Sequence, residues 1–202
     1  MREDFRHYYT DQTEAPERVK TATFRLKNGH SYSFKSPDGV FAFGKADRAS
    51  LILIENCVLD GQENLLDLGC GYGPIGITLK LENPDLKLFM SDTNTRAVTF
   101  SKINARDFNL LADIRKGDLY DPWEGFRFDS ILSNPPMAAG KAVWEKLICE
   151  APKFLTENGR LQIVAYHNKG GSRLEGIMKT TFGNVITTTK SGGIRVYVSR
   201  KL

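Results

Sequence analysis

No apolar run in the 202 residues exceeds four, as at Leu51–Ile54, far below the roughly 20 that a membrane-spanning helix needs. The opening stretch MREDFRHYYT has no apolar core of the kind a secretory leader carries, so a cytoplasmic protein is expected. Cysteine is scarce. Cys57, Cys70 and Cys149 are the only three, too few and too scattered for a disulfide framework or a zinc cluster, so no metal centre is expected. There are no internal repeats and no low-complexity stretches. Neither charge dominates: 28 Lys and Arg against 24 Asp and Glu leave only +4, which by itself names no partner.

The remaining composition, 41% apolar and 26% charged, is that of a globular chain. At this length roughly 70% of the unfolded surface is buried on folding, enough for a core that needs no covalent staple. The charge is also unevenly placed. Between Arg160 and Leu202 stand eight basic residues and one acid, Glu175, so this segment carries +7 and the rest of the chain −3. A one-signed segment attracts polyanions.

Residues 21–27 and 30–35 alternate apolar and polar with period two around Asn28-Gly29, a strong hairpin signal. Asp47 or Ser50 then caps a helix carrying Leu51–Ile54. From Asn64 the pattern becomes strand, helix, strand, helix. Strands are predicted at 65–68, 86–90, 113–116, 130–133 and 161–166, with helices near 74–82, 96–108, 140–155 and 172–180. Segments 184–190 and 194–200 flank Ser191-Gly-Gly193 as a second hairpin. The expectation is an α/β, Rossmann-like doubly wound sheet, mostly parallel and closed by an antiparallel hairpin. A β-hairpin appendage at 1–46 precedes the main domain at 47–202.

The segment Leu65-Leu-Asp-Leu-Gly-Cys-Gly-Tyr-Gly-Pro-Ile-Gly76 runs an apolar strand into a glycine turn that opens a helix. Gly71, Gly73 and Gly76 fit the dinucleotide fingerprint, but the acid Asp67 suits a cationic amine better than a pyrophosphate. S-adenosylmethionine, with an amino group and no phosphate, matches the loop Gly69, Cys70, Gly71 and Gly73. Asp92, followed by Thr93, ends the next strand, where an acid takes ribose hydroxyls. Asp118 ends the third and is placed for an adenine amine, with Leu119 packing on the ring. After the fourth strand comes Asn134-Pro-Pro-Met137. Proline fixes the turn and leaves carbonyls free, so the Asn134 side chain and the Pro135 main chain offer two acceptors to a planar NH₂ group.

In this order the motifs resemble those of class I S-adenosylmethionine-dependent methyltransferases of the exocyclic-amino type. More narrowly, they are similar to the small methyltransferase group related to the 16S ribosomal RNA guanine-N2 methyltransferase RsmC. The likeness extends to His7-Tyr-Tyr-Thr10, Gly39-Val-Phe41, Asp47 with Ser50, Asn134–Lys141 and the closing glycines Gly192 and Gly193. It departs at Ala49, where the group has glycine, and at Met137, where many amino-methyltransferases carry an aromatic.

The resemblance implies catalysis by Asn134 and Pro135, with Pro136, Met137, Phe41 and Lys141 meeting the substrate. It implies action on an exocyclic amine in RNA, guanine N2 of 16S ribosomal RNA or the small ribosomal subunit; a monomer with no membrane partner is the expectation from the chain itself. Protein glutamine, adenine in DNA, and a non-catalytic RNA-binding role stay open as alternatives. A nicotinamide enzyme is disfavoured by Asp67 and the Asn-Pro-Pro turn.

Overall fold

A computed structural model describes residues 16–61, 63–136 and 140–202. His7–Thr10 and Met137 lie outside the described residues. The chain opens with a hairpin, β1 (Val19–Arg25) and β2 (Ser31–Pro37), followed by α1 (Arg48–Asn56). The alternating part runs β3 (Asn64–Leu68), α2 (Pro74–Glu82), β4 (Lys87–Asp92), α3 (Thr95–Asp107), β5 (Ala112–Lys116) and β6 (Phe128–Ser133). It continues through α4 (Lys141–Phe154), β7 (Leu155–Tyr166) and α5 (Gly171–Phe182) to the hairpin β8 (Ile186–Ser191) and β9 (Ile194–Arg200).

The seven-stranded sheet has the order β5-β4-β3-β6-β7-β9-β8. Strands β3 to β7 are mutually parallel, and β9 enters antiparallel between β7 and β8. This is the Rossmann-like sheet with an antiparallel close that the sequence predicts. Side chains alternate across it, as the pleat requires. Leu65 joins a cluster with α1, α2 and α3, while Leu66 and Leu68 join the opposite cluster with α4 and α5.

One strand boundary differs from expectation by more than two residues. The strand predicted to begin at Leu161 begins at Leu155. Thr156–Gly159 reads as a turn, and Asn158 does take a left-handed φ of 66°. Pairing nevertheless exists on both sides of it, Phe128 with Leu155 and then Ser130 with Arg160, so the turn is an irregularity within one strand. The first hairpin is no free-standing flap. Phe24 and Phe34 stack at 5.6 Å, Phe34 meets Phe108 of α3 at 5.2 Å, and both belong to the core cluster under α1–α3. Asn104 of α3 fixes the register by accepting from Lys35 N at 2.9 Å and donating to the Lys35 and Tyr72 carbonyls.

Two carboxylates hold the hairpin tip: Glu55 of α1 accepts from Lys27 N at 3.0 Å, and Glu82 takes three side chains. Glu82, at the end of α2, accepts from Asn28 and from His30 Nδ1, each at 2.8 Å, and from the Tyr32 hydroxyl. Burial alone would raise its carboxyl, but hydrogen bonds from Tyr32 and His30 hold it below the usual range. A carboxyl so depressed stabilises the fold at neutral pH, and that share is lost as pH falls through its folded value. Glu82→Ala is expected to cost about 1.5–3 kcal/mol at neutral pH. The deficit should shrink in acid, read by denaturant unfolding at several pH values. A deficit independent of pH would refute the clamp.

Candidate functional site

The carboxyl ends of β3, β4, β6 and β7 and the segment after β5 surround one cavity of about 710 Å³, the usual ligand position in an open parallel sheet. Gly73 opens α2 at φ 94°, and a Cβ there would come within 2.7 Å of Ile77 Cδ1. Gly76, one turn on, lets the helix lie against the strand, since a Cβ would meet Leu88 at 2.9 Å and Asp67 at 3.1 Å. The loop between is tied to the next strand. Gly69 and Cys70 donate to the Ser91 carbonyl at 2.9 and 3.0 Å, and Gly71 N donates to Asp92 Oδ2 at 2.9 Å.

Asp92 also accepts from Asn94 N at 2.9 Å, and Asn94 caps α3 through its own side chain. Burial raises the Asp92 carboxyl, against hydrogen bonds from Asn94, Gly71 and Thr93. Gly69, Cys70, Gly71, Asp92, Thr93, Asp118 and Leu119 all line the cavity, as predicted residues brought together from three strand ends. Asp118 is more than half exposed and meets Lys146 Nζ at 3.1 Å.

Asp67 and Gly73 do not line it. Asp67 alternates with Leu66 and Leu68, so its side chain points under α2, where Oδ2 accepts from Gly76 N at 2.9 Å. It is 1% exposed, and its Oδ1 is buried without a partner. Burial pushes this carboxyl up to about 7; the Gly76 N–H opposes the rise and the Asp92 charge adds to it.

At the other end, Asn134, Pro135 and Pro136 line the cavity with Phe41, which is 45% exposed. The Asn134 amide nitrogen donates to Asp47 Oδ2 at 2.9 Å and to Ser50 Oγ at 3.0 Å. Asp47 Oδ2 also accepts from Ser50 N at 2.9 Å as the cap of α1. An ionised carboxylate only accepts, so it fixes which way the amide faces. Asn134 Oδ1 has no hydrogen-bond partner among the described residues. The Pro136 carbonyl accepts from Trp144 at 3.1 Å, whereas the Pro135 carbonyl has no donor among the described residues. Two acceptors therefore stand free on one stiff turn.

Lys141 pairs with Glu145 at 3.1 Å and lies off the cavity wall. Sequence reading gives Asp47 and Ser50 as helix caps and as part of the family likeness, and does not single out Tyr166, which lines the wall beside Lys169. Strand-end position was the one signal for Tyr166. Among the described residues Lys169 is the only cation on the wall, and the glycine loop offers a pyrophosphate carboxylates instead of a positive charge.

The family described as the methyltransferase small domain matches residues 31–198. The chain is 32% identical over 199 residues to YbxB of Bacillus subtilis strain 168, covering 97% of this chain and 98% of that protein. It is 33% identical over 178 residues to the ribosomal RNA small subunit methyltransferase C of Aliivibrio fischeri strain ES114, covering 85% of this chain. The chain spans about half the length of that enzyme, 50%. Among solved structures, it superposes with a TM-score of 0.78 and 25% identity on the Thermus thermophilus 16S rRNA N2 G1207 methyltransferase, RsmC, in complex with AdoMet and guanosine. That match covers 94% of this chain and 52% of the other.

Proposed function

The chain belongs to the methyltransferase small domain family, and we propose that it transfers a methyl group from S-adenosylmethionine to an exocyclic amine of a base in RNA, guanine N2 of 16S ribosomal RNA. The observation that carries this reading is the Asn134 amide, locked by Asp47 and Ser50 with its carbonyl free beside that of Pro135. S-adenosylmethionine supplies an electrophilic methyl on a sulfonium.

The residues present fit that cofactor. Asp92 is placed for ribose hydroxyls, Asp118 and Leu119 for the adenine, and the loop Gly69, Cys70, Gly71 for the methionine end. The loop carries no cation to bind phosphate. Asp67, buried behind the loop, contributes negative potential and holds Gly76. Gly73 serves the turn.

Asn134 Oδ1 and the Pro135 carbonyl accept the two N–H bonds of the target amine. They hold its plane and present its nitrogen toward the glycine-loop end, so alignment carries the rate. Phe41, exposed at the mouth, offers an aromatic face to the base, with Pro136 on the wall and Met137, next in sequence, as its further contacts. Lys141, off the wall, is left for RNA outside it. The β-hairpin appendage at 1–46 and the catalytic domain at 47–202 act together as a monomer in the cytoplasm.

The test is tritiated methyl transfer to unmodified 16S ribosomal RNA and to small subunits, followed by nucleoside digestion. Label in N2-methylguanosine supports the reading. Cofactor-dependent thermal stabilisation without transfer to either substrate would overturn it.

A further inference from the structure

The basic excess of the C-terminal segment splits in two once the strands are in place. Arg160, Arg200 and Lys201 stand at the end of the sheet away from the cavity. There Arg160 pairs with Glu63 at 3.2 Å and with Asp60, Lys201 pairs with Glu157 at 2.9 Å, and Arg200 Nε donates to the Asn158 carbonyl at 3.1 Å. Those charges are spent on the fold.

Lys179, in the last turn of α5, donates to the Gly183 carbonyl at 3.0 Å, whereas Lys169, Arg173 and Lys190 stand toward the cavity end. Because β9 runs antiparallel to β7, with Tyr166 opposite Ile194, the Ser191–Gly193 tip rises beside the carboxyl end of β7. His167 N donates to the Gly193 carbonyl there at 2.9 Å. Lys169 lies on the cavity wall, 5.4 Å over the Tyr166 ring. Lys190 pairs in register with Arg195 just below the tip, and Arg173 is in the first turn of α5.

From the opposite face α1 brings Arg48. Its guanidinium lies so close to Gly192 that a Cβ there would come within 2.6 Å of Nη2. Arg48 stands between Asp47 and Ser50, the two groups that hold Asn134. Arg48, Lys169, Arg173 and Lys190 are exposed, and none has an acidic partner within ion-pair distance among the described residues. The other end of the cavity carries Asp92 and Asp118. The cations thus stand on the amine-acceptor side of the cavity, where the wall carboxylate Asp47 is already engaged by Asn134 and Ser50.

We propose that Arg48, Lys169, Arg173 and Lys190, set around the Ser191–Gly193 tip, are the surface that takes the phosphate backbone of the RNA whose base enters at Asn134. This rests on the methylation of RNA argued above. Cations from both faces of the sheet meet at the tip, so the strand crosses it from α1 to α5. Contacts to phosphate position a nucleic acid without reading its bases. Each neutralised phosphate adds about 0.7–0.9 to the slope of log affinity against log salt.

The experiment is binding of an unmodified 16S ribosomal RNA transcript across a salt series, with methyl transfer to the same RNA. Three proteins are compared: the wild type, Lys169→Gln/Arg173→Gln/Lys190→Gln, and Lys102→Gln/Arg106→Gln. The last pair is also exposed, on α3 beside the far edge strand β5. The triple variant is expected to bind about 10- to 100-fold more weakly, with a slope shallower by about 2. The double variant should match the wild type.

Wild-type affinity and slope in the triple variant, or an equal loss in the double, would overturn the surface and leave RNA methylation standing. A wild type that neither binds nor methylates the RNA defeats the underlying reading, and the surface with it. Should the triple variant melt early, Arg173→Gln/Lys190→Gln carries the same comparison.

Discussion

Alanine in place of Asn134 is expected to lower kcat for methyl transfer on the order of 10²- to 10³-fold, with cofactor affinity nearly unchanged. The side chain gives the reaction one of two acceptors that fix the amine, while the glycine-loop end, where the cofactor is held, is untouched. The loss should fall on kcat, because a base still enters the cavity but is no longer held in line.

Asp47 offers a finer version of the same test. It performs two tasks, capping α1 and fixing the Asn134 amide. Asp47→Ala removes both and is expected to cost about 1 kcal/mol of stability as well as rate. Asp47→Asn keeps a good cap, yet its amide presents either a donor or an acceptor and lets Asn134 turn over. That variant should therefore melt like the wild type and lose about tenfold in kcat. Equilibrium dialysis with the cofactor, thermal melts and steady-state transfer read the three quantities separately. A fully active Asn134→Ala protein would remove the carbonyl pair from the mechanism. A fully active Asp47→Asn protein would reduce Asp47 to a cap.

What was legible in the sequence is what is local. The Asn28-Gly29 and Ser191–Gly193 turns predict both hairpins, because such turns demand particular backbone angles whatever surrounds them. The glycine loop, Asp92, Asp118 and Asn134 could be placed at strand ends because strand and helix periods differ. What stayed hidden depends on distance or on the face of a strand. Asp47 and Asn134 are 87 positions apart, and nothing in either segment announces the other. Arg173 and Lys190 count in the sequence only as charge, because composition cannot tell which end of the sheet a cation occupies. Asp67 looked like a ligand-facing acid from its spacing to the glycines. The pleat turns it under α2 instead, so its effect on the cavity acts through the loop.

That burial gives Asp67 the second large expected effect, on stability. Its carboxyl moves from an ordinary 3.8 to about 7, which at about 1.4 kcal/mol per pH unit is on the order of 4 kcal/mol. The sign runs against the usual behaviour of a carboxylate. Between 3.8 and about 7 the unfolded chain has already released this proton while the folded chain keeps it, so the Asp67 share of stability falls as pH rises through that window. Asp67→Asn keeps an acceptor for Gly76 and never ionises. Relative to the wild type it should therefore gain about 4 kcal/mol between pH 4 and pH 8, read by denaturant unfolding in the absence of cofactor. A flat difference across that range would mean that water or a shift of the loop solvates the charge. The same variant tests the electrostatic reading of the loop. Ionised Asp67 favours a cationic ligand, so wild-type affinity for S-adenosylmethionine should rise as pH passes through about 7, and Asp67→Asn should abolish that rise. An unchanged rise would take the dependence away from Asp67 and remove its charge from the account of cofactor binding.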